Sequence, residues 1–204
     1  MSETKRPRGR PPTYDRETAL AAAGDAFWRT GYAATTLDDL CDATGMNRPS
    51  LYAAFGDKHG FYLAVLDRYA AASIERLADF LERDLPLATQ LAAVYDAALS
   101  IYLEGDDAAR GCFLVGTAVT EASDDATVRD RLRSVFDRID GLFEARFARA
   151  RANGEIDVDA EPRALAQVAS GLLNALAVRA RSGASRDSLR RTARQAVALL
   201  APAS

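Results

Sequence analysis

Helical periodicity is the feature of this sequence that most restricts what the chain can fold into. Apolar residues recur at intervals of three and four in Val128, Leu132, Val135 and Ile139, which is the spacing of one face of an α-helix. Similar spacing continues along most of the chain from residue 16 onward, and no stretch alternates apolar and polar residues as a half-buried strand does. We therefore expect an all-α fold.

Capping and breaking residues divide the chain into separate helices. Asp15 is suited to cap a first helix that ends before Gly31, Thr36 forms a capping box with Asp39, and Asn47 caps a third helix. The later helices are expected at 57–83, 86–103 and 113–121, then one ending at 153, one beginning at 162 and one capped at 185.

The second and third expected helices are short and meet at Gly45, and the longer first helix precedes them. This arrangement has the spacing of a helix-turn-helix. Leu40, Leu51 and Phe55 would hold these helices together and leave the opposite face of the third helix exposed. We predict a basic, flexible arm at 1–13, a three-helix helix-turn-helix domain at 14–60 and a larger helical domain at 61–204.

Composition restricts the protein class. Nearly half of the 204 residues are apolar and 27% are charged, the balance of a globular protein. No apolar run approaches the ~20 residues that cross a bilayer, so we expect no membrane partner. Cys41 and Cys112 are the only cysteines, which indicates neither a disulfide framework nor a zinc site and fits a reducing cytoplasm. No cofactor is indicated.

Charge is distributed unevenly along the chain. The formal net charge of −3 argues against a protein that coats nucleic acid. The first twelve residues, however, carry Lys5, Arg6, Arg8 and Arg10 against Glu3 alone. We therefore expect a local arm that can bind DNA although the whole chain is acidic.

The exposed face of the third helix carries side chains suited to a DNA major groove. Arg48 has the planar fork that pairs with guanine O6 and N7, and it is the first choice for sequence readout. Ser50 can bond a base or a phosphate, Pro49 can contact a thymine methyl, and Tyr52 can reach a phosphate through its hydroxyl. Asn47 can either cap the helix or contact DNA.

The stretches 35–40, 43–52 and 55–58, TTLDDL, ATGMNRPSLY and FGDK, together resemble the TetR family of one-component transcriptional regulators. The resemblance covers about residues 14–66. It implies a non-enzymatic repressor that binds a palindromic operator as a homodimer and leaves it when a small-molecule effector enters the helical C-terminal domain. Ala53 and Ala54 stand where many members have aromatic or polar residues, so fewer side chains are available for readout.

Further DNA contacts are expected outside the third helix. Thr35, Thr36 and Lys58 lie at helix starts, where hydroxyls, backbone N–H groups and a cation can bind phosphates. Arg8 and Arg10, within Arg8-Gly9-Arg10-Pro11, resemble the core of minor-groove AT-hook segments. The alternative for this arm is a solvated tail.

The last two helices are apolar and rich in small residues, which suits a four-helix dimer interface. The alternative is that these faces complete the core of a single chain. The residues predicted at the interface are Leu165, Val168, Leu172, Leu176, Leu189, Ala193, Ala196, Val197 and Leu200.

A largely apolar effector pocket is expected between helices of the larger domain, although each of its candidate residues could equally belong to the core. The candidates are Tyr95, Leu99, Tyr102, Cys112, Phe113, Phe136, Phe143 and Leu172. Arg110-Gly111-Cys112 resembles a segment of TetR-type regulators that respond to electrophiles or oxidants, so Cys112 is a hypothetical sensing thiol, activated by Arg110 or a helix N-terminus. A buried, inert thiol is the alternative.

Other function classes have less support in the sequence. His59 is the only histidine, and no acid–base or nucleophilic constellation is visible, which disfavours an enzyme. One alternative is a helical protein that binds a ligand or a partner and whose N-terminal module no longer binds DNA. Another alternative keeps DNA binding but makes the protein an activator of transcription.

Overall fold

The computed structural model describes residues 14–105 and 109–202 of the chain. Every regular element in these ranges is helical, as the periodicity predicts. The helices are α1 (Arg16–Ala34), α2 (Leu37–Thr44), α3 (Arg48–Phe55), α4 (Lys58–Glu82), α5 (Leu87–Tyr102), a π-helical turn (Leu114–Ala118) that continues into α6 (Val119–Glu121), α7 (Ala126–Ala152), α8 (Pro162–Arg181) and α9 (Arg186–Leu200).

The first three helices pack around a small apolar core. Phe27 of α1, Leu40 of α2 and Leu51 of α3 are fully buried, so all three helices contribute to one centre. Gly31 adopts φ +82° and interrupts the helical geometry inside α1, which corresponds to the stop predicted there. Gly45 adopts the left-handed conformation (φ +68°) between α2 and α3, which an L side chain would adopt only with strain.

The long helix α4 connects this three-helix unit to the rest of the molecule. Asp57 caps it through a 2.6 Å hydrogen bond that Gly60 N–H donates to Oδ1, as its position in the sequence predicts. The buried side of α4 includes Phe61 and Tyr62 near α1 and Leu77 and Leu81 farther along. The helix packs against α1, α5 and α7, so a displacement of α4 would move the first three helices relative to the others.

Helices α5 and α7–α9 form the larger helical bundle. The longest packing interface joins α7 to α8, and α9 lies against α5 and α8. The segment predicted as an ordinary helix at 113–121 contains instead the π-helical turn, a geometry that is rare outside functional or strained sites. No helix in the described ranges is long and apolar enough to cross a membrane.

A buried polar cluster holds the C-terminal end of α4. The Gln90 side-chain amide donates to the carbonyl oxygens of Phe80, Leu81 and Arg83. Phe80 and Leu81 belong to the last turn of α4, whose carbonyl oxygens have no partners within the helix. The guanidinium of Arg146, 3% exposed, donates to Gln90 Oε1 and to Glu155 Oε2. This end of α4 is therefore fixed by buried, charge-assisted hydrogen bonds.

Candidate DNA-binding face and effector cavity

Helix α3 presents one exposed face at the surface of the three-helix unit. Asn47 caps the helix, because its Oδ1 accepts a 2.9 Å hydrogen bond from Ser50 N–H. Arg48, Pro49 and Tyr52 are exposed and Ser50 is half-buried. The cap thus engages the Asn47 side-chain oxygen, while the other predicted α3 residues are accessible to a groove.

Arg48 is oriented by a residue that the sequence analysis did not single out. Its Nε and Nη2 atoms donate to the carboxylate of Asp38 on α2 at 2.7–3.0 Å. This hydrogen bond is the main cause that raises the pKa of Arg48. Both side chains are more than half exposed, so solvent screens the pair and DNA can compete for the guanidinium.

The two adjacent threonines have different environments, and the prediction for Thr35 needs correction. Thr35 is 1% exposed, and its hydroxyl donates to Gly31 O at 2.6 Å. The buried hydroxyl is therefore occupied inside the protein and cannot reach a phosphate in this conformation. Thr36 is exposed and forms the predicted capping box, in which its Oγ1 accepts from Asp39 N–H and its own N–H donates to Asp39 Oδ2.

Lys58 supports the turn before α2. Its Nζ donates to Thr35 O at 2.8 Å and lies 4.4 Å from the centre of the Tyr32 ring. The ammonium group therefore stabilises the backbone at the α1–α2 turn. Because this is a single hydrogen bond from a group with three N–H donors, the side chain retains capacity for a phosphate.

The arm residues Arg8 and Arg10 lie outside the described residues. Their sequence context nevertheless bears on electrostatics, because residues 14–60 contain four basic and seven acidic side chains. Residues 1–13 carry four basic side chains against one acidic side chain, so within the first sixty residues only the arm has a net positive charge that attracts phosphate.

A cavity of about 80 Å³ lies between α4, α5, α7 and α8. Its walls are mostly apolar and include Leu77, Val94 and Ile139. Its polar lining residues are Tyr69, Ser73, Arg76, Tyr102, Cys112, Ser170 and Asn174. The arrangement suits a small, largely apolar molecule with a few polar contacts.

The structure brings only part of the predicted pocket together. Tyr102, Cys112 and Phe136 line this cavity. Tyr95, Leu99, Phe113 and Phe143 are instead buried at 0–1% exposure and pack in the core, and Leu172 is half-buried on α8 without lining the cavity. The lining residues that sequence reasoning missed lie mainly on α4 and α5, where helical periodicity does not distinguish core from cavity.

The surroundings of Cys112 favour a protected thiol. Cys112 is 7% exposed, and Tyr69 Oη donates to its Sγ at 3.6 Å. Burial raises the pKa of Tyr69 and of Tyr102 well above the usual value, so these neighbouring hydroxyls stay protonated. The guanidinium of Arg110, expected to activate the thiol, pairs with Asp25 at 2.7 Å.

Side-chain contacts join the cavity wall to the three-helix unit. Trp28 of α1 lies edge-on to Tyr69 and Phe113, and its Nε1–H donates to Arg110 O at 3.0 Å. Tyr69 also lines the cavity. Near the start of α4, His59 contacts the carboxylate of Asp125, which caps α7, at 2.5 Å. His59 therefore does not lie free at a DNA-facing surface.

The outer faces of α8 and α9 carry exposed apolar side chains. Val168 is 60% exposed, Val178 54% and Leu199 82%. Four predicted interface residues require correction, because Leu176, Leu189, Ala193 and Leu200 are buried within their own chain and complete its core. The other predicted residues besides Val168 are half-buried at the edge of this surface, namely Leu165, Leu172, Ala196 and Val197.

Comparisons with known proteins agree with this geometry. Residues 19–65 match the family of bacterial regulatory proteins of the tetR type, and residues 88–196 match the tetracyclin repressor-like C-terminal domain. The chain is 34% identical to the HTH-type transcriptional repressor ComR of Escherichia coli, over 91% of this chain and 88% of ComR. It is 36% identical to the HTH-type transcriptional repressor BdcR of the same organism, over 52% of this chain and 54% of BdcR.

A solved structure extends the similarity to the whole fold. A cysteine mutant of the TetR family transcriptional regulator CifR, complexed with 26-bp double-strand operator DNA, superposes with a TM-score of 0.82. It is 31% identical, and the match covers 92% of this chain and 98% of CifR. The exposed α3 face, the helical body and these relatives lead to one conclusion: the chain is a DNA-binding transcriptional regulator, not an enzyme, and it belongs to the TetR family.

Proposed function

We propose that the chain represses transcription as a homodimer that binds a palindromic operator and is released by a small molecule in the α4–α8 cavity. The observation that carries this proposal is the exposure of Arg48, Pro49 and Tyr52 on α3. The relatives ComR and BdcR are repressors, which supports the same direction of control here.

Sequence readout is assigned to Arg48, which can form a bidentate contact with guanine. Pro49 supplies an apolar contact, and Ser50, Tyr52, Thr36 and Lys58 bind phosphates that set the register. Asn47 serves chiefly as the helix cap, in view of its bond to Ser50.

The basic arm supplies electrostatic affinity that the acidic three-helix unit lacks. Arg8 and Arg10 have the side chains that enter a narrow minor groove. Their contribution is expected at every DNA sequence, and more strongly at A·T-rich flanks, where the groove is narrow.

Dimerisation is assigned to the outer faces of α8 and α9. Val168 of α8 and Leu199 of α9 are exposed, and the exposed small residues Gly171 and Ala175 of α8 would allow close approach of a second copy. A two-fold axis would place two α3 helices on half-sites one helical turn, or a multiple of it, apart.

The effector acts by shifting a population of conformations. A molecule that binds better to a cavity with displaced α4 would move the α3 helices away from the operator spacing, provided that its affinity for the two states differs. The Trp28–Arg110 contact and the fixed C-terminal end of α4 make the N-terminal half of α4 the part that moves with the DNA-binding unit.

Sequencing of DNA fragments captured by the purified chain tests this function. The expected result is an enriched inverted repeat, with half-sites separated by about 10 bp or a multiple of that distance. Absence of any enriched motif, or a motif without inverted symmetry, would contradict the proposal.

A further inference from the structure

The cavity has one charged side chain among its described lining residues, and that side chain is Arg76 of α4. Arg76 is exposed, whereas Tyr102, Cys112 and Leu114 at the cavity are buried. The cavity therefore has a solvent-facing end marked by a guanidinium and an inner end formed by buried groups.

Arg76 makes no hydrogen bond or ion pair with another side chain in the described ranges 14–105 and 109–202. The carboxylate of Asp140, beside the cavity residue Ser170, accepts a hydrogen bond from the Ser170 hydroxyl at 2.5 Å. The guanidinium of Arg76, at the solvent-facing mouth of the cavity, can therefore bind an anion without first breaking a contact within the protein.

The inner end of the cavity is chemically neutral. The pKa values of Tyr69 and Tyr102 are raised by burial, so neither hydroxyl places a negative charge near a ligand. Ser73 and Asn174 add neutral polar groups. Neutral, mostly apolar walls bind an alkyl or aromatic group better than a charged one.

The size of the cavity limits how much of a ligand it encloses. The cavity volume of about 80 Å³ is roughly half that of an engineered 150 Å³ cavity that binds benzene. It therefore encloses about three carbon atoms before the protein adjusts, and the remainder of a larger molecule extends toward the mouth.

We propose that the effector is a small amphipathic anion, whose apolar tail enters the cavity and whose acidic group, such as a carboxylate, binds Arg76 at the mouth. This proposal rests on the proposed function of the cavity as the effector site. It adds the chemical class of the ligand and names Arg76 as the residue that selects it, because planar guanidinium groups bind carboxylates through two parallel hydrogen bonds.

Hexanoate and hexanamide provide a matched pair of probes. Their tails are the same, with enough carbons to fill the inner end and reach the mouth, and only the acid is charged. Ligand-observed NMR titration of the purified full chain measures both dissociation constants. We expect hexanoate to bind about fivefold more tightly, the upper range for a solvent-exposed ion pair.

Two variants separate a specific contact from a general charge effect. Arg76→Gln should remove the preference for the acid and leave hexanamide binding unchanged. Arg133→Gln removes an equal charge from the exposed surface of α7, away from the cavity, and should retain the preference. Thermal melting of both variants verifies that they fold. Failure of hexanoate to bind, equal binding of both probes, or a preference that survives in Arg76→Gln would overturn the proposal.

Operator binding measured in the same titrations separates the ligand class from the function. If hexanoate is preferred through Arg76 but the operator stays bound, the ligand class is supported and the effector role of the cavity fails. If both compounds release the operator with equal potency, the effector role is supported and the anion preference is overturned.

Discussion

Arg48 is the side chain on which sequence recognition is proposed to depend. Replacement by alanine removes the guanidinium fork and should reduce the preference for the captured operator over an unrelated duplex by about tenfold or more. Competition fluorescence anisotropy measures this ratio. Arg29→Ala, which removes an exposed arginine from α1, is the matched control and should keep it. An unaltered ratio in the Arg48 variant would refute the assignment.

Lys58 has a structural contact that makes its removal costly to the fold. Lys58→Met keeps the alkyl stem but leaves Thr35 O without its charged donor, so we expect the free energy of unfolding to fall by about 1–2 kcal/mol. Urea denaturation measures the change, with Arg29→Met as a surface control. Unchanged stability, combined with weaker DNA binding, would mean that Lys58 acts only on phosphate.

Single residues also show where sequence reasoning reaches its limit. The caps at Asp15, Thr36 and Asn47 depend on neighbours three positions away and were predictable. The burial of Thr35 was not, because it depends on packing against Gly31 and on Lys58, which is 23 positions away in the chain. Asp38 was likewise missed as the partner of Arg48.

At the level of elements, the buried polar cluster at the C-terminal end of α4 should make the stability of the fold sensitive to both mutation and pH. Arg146→Met leaves Gln90 Oε1 and Glu155 without their cationic donor, and the loss of one partner of a buried pair costs about 3 kcal/mol. Chemical denaturation at neutral pH measures this loss. Arg133→Met on the exposed surface of the same helix is the control and should change stability little.

The pH dependence of the same variant supplies a second check. The hydrogen bond from Arg146 is the largest cause that lowers the pKa of Glu155 below its ordinary 4.5. The charged Glu155 carboxylate therefore stabilises the folded state fully at pH values above the ordinary pKa of 4.5, and this stabilisation is lost as pH falls through the lower pKa of the folded state. Between about pH 6 and about pH 3, the unfolding free energy should therefore decrease less in Arg146→Met than in the parent. Equal decreases would show that Arg146 does not stabilise the charged carboxylate.

Helix positions were predictable because apolar spacing and caps are local signals. Both α4 and α5 begin and end within about one residue of the expected ranges. The π-helical turn was not predictable, since the residues at 113–121 have an ordinary helical pattern and only tertiary packing selects the wider turn. The cavity residues were missed for a similar reason: a gap between helices depends on how their faces meet.

For the whole molecule, the exposed apolar surface of α8 and α9 should control association. Val168→Lys introduces a charge at the centre of the proposed interface and should convert the dimer to monomers at micromolar concentration, because an unpaired charge in an apolar interface is costly. Sedimentation velocity measures the change. Val158→Lys, at a 77% exposed position outside α8 and α9, is the control and should remain dimeric. A dimeric Val168 variant would exclude this surface as the interface.

The central claim is that two copies of the chain hold one operator through their α3 helices. Sedimentation velocity of the purified protein with the captured duplex and with a scrambled duplex of equal length, at moderate salt, tests it most directly. The account predicts a free dimer and an even number of chains on the captured duplex, with little complex on the scrambled one. A monomer in solution, or equal binding to both duplexes, would contradict it.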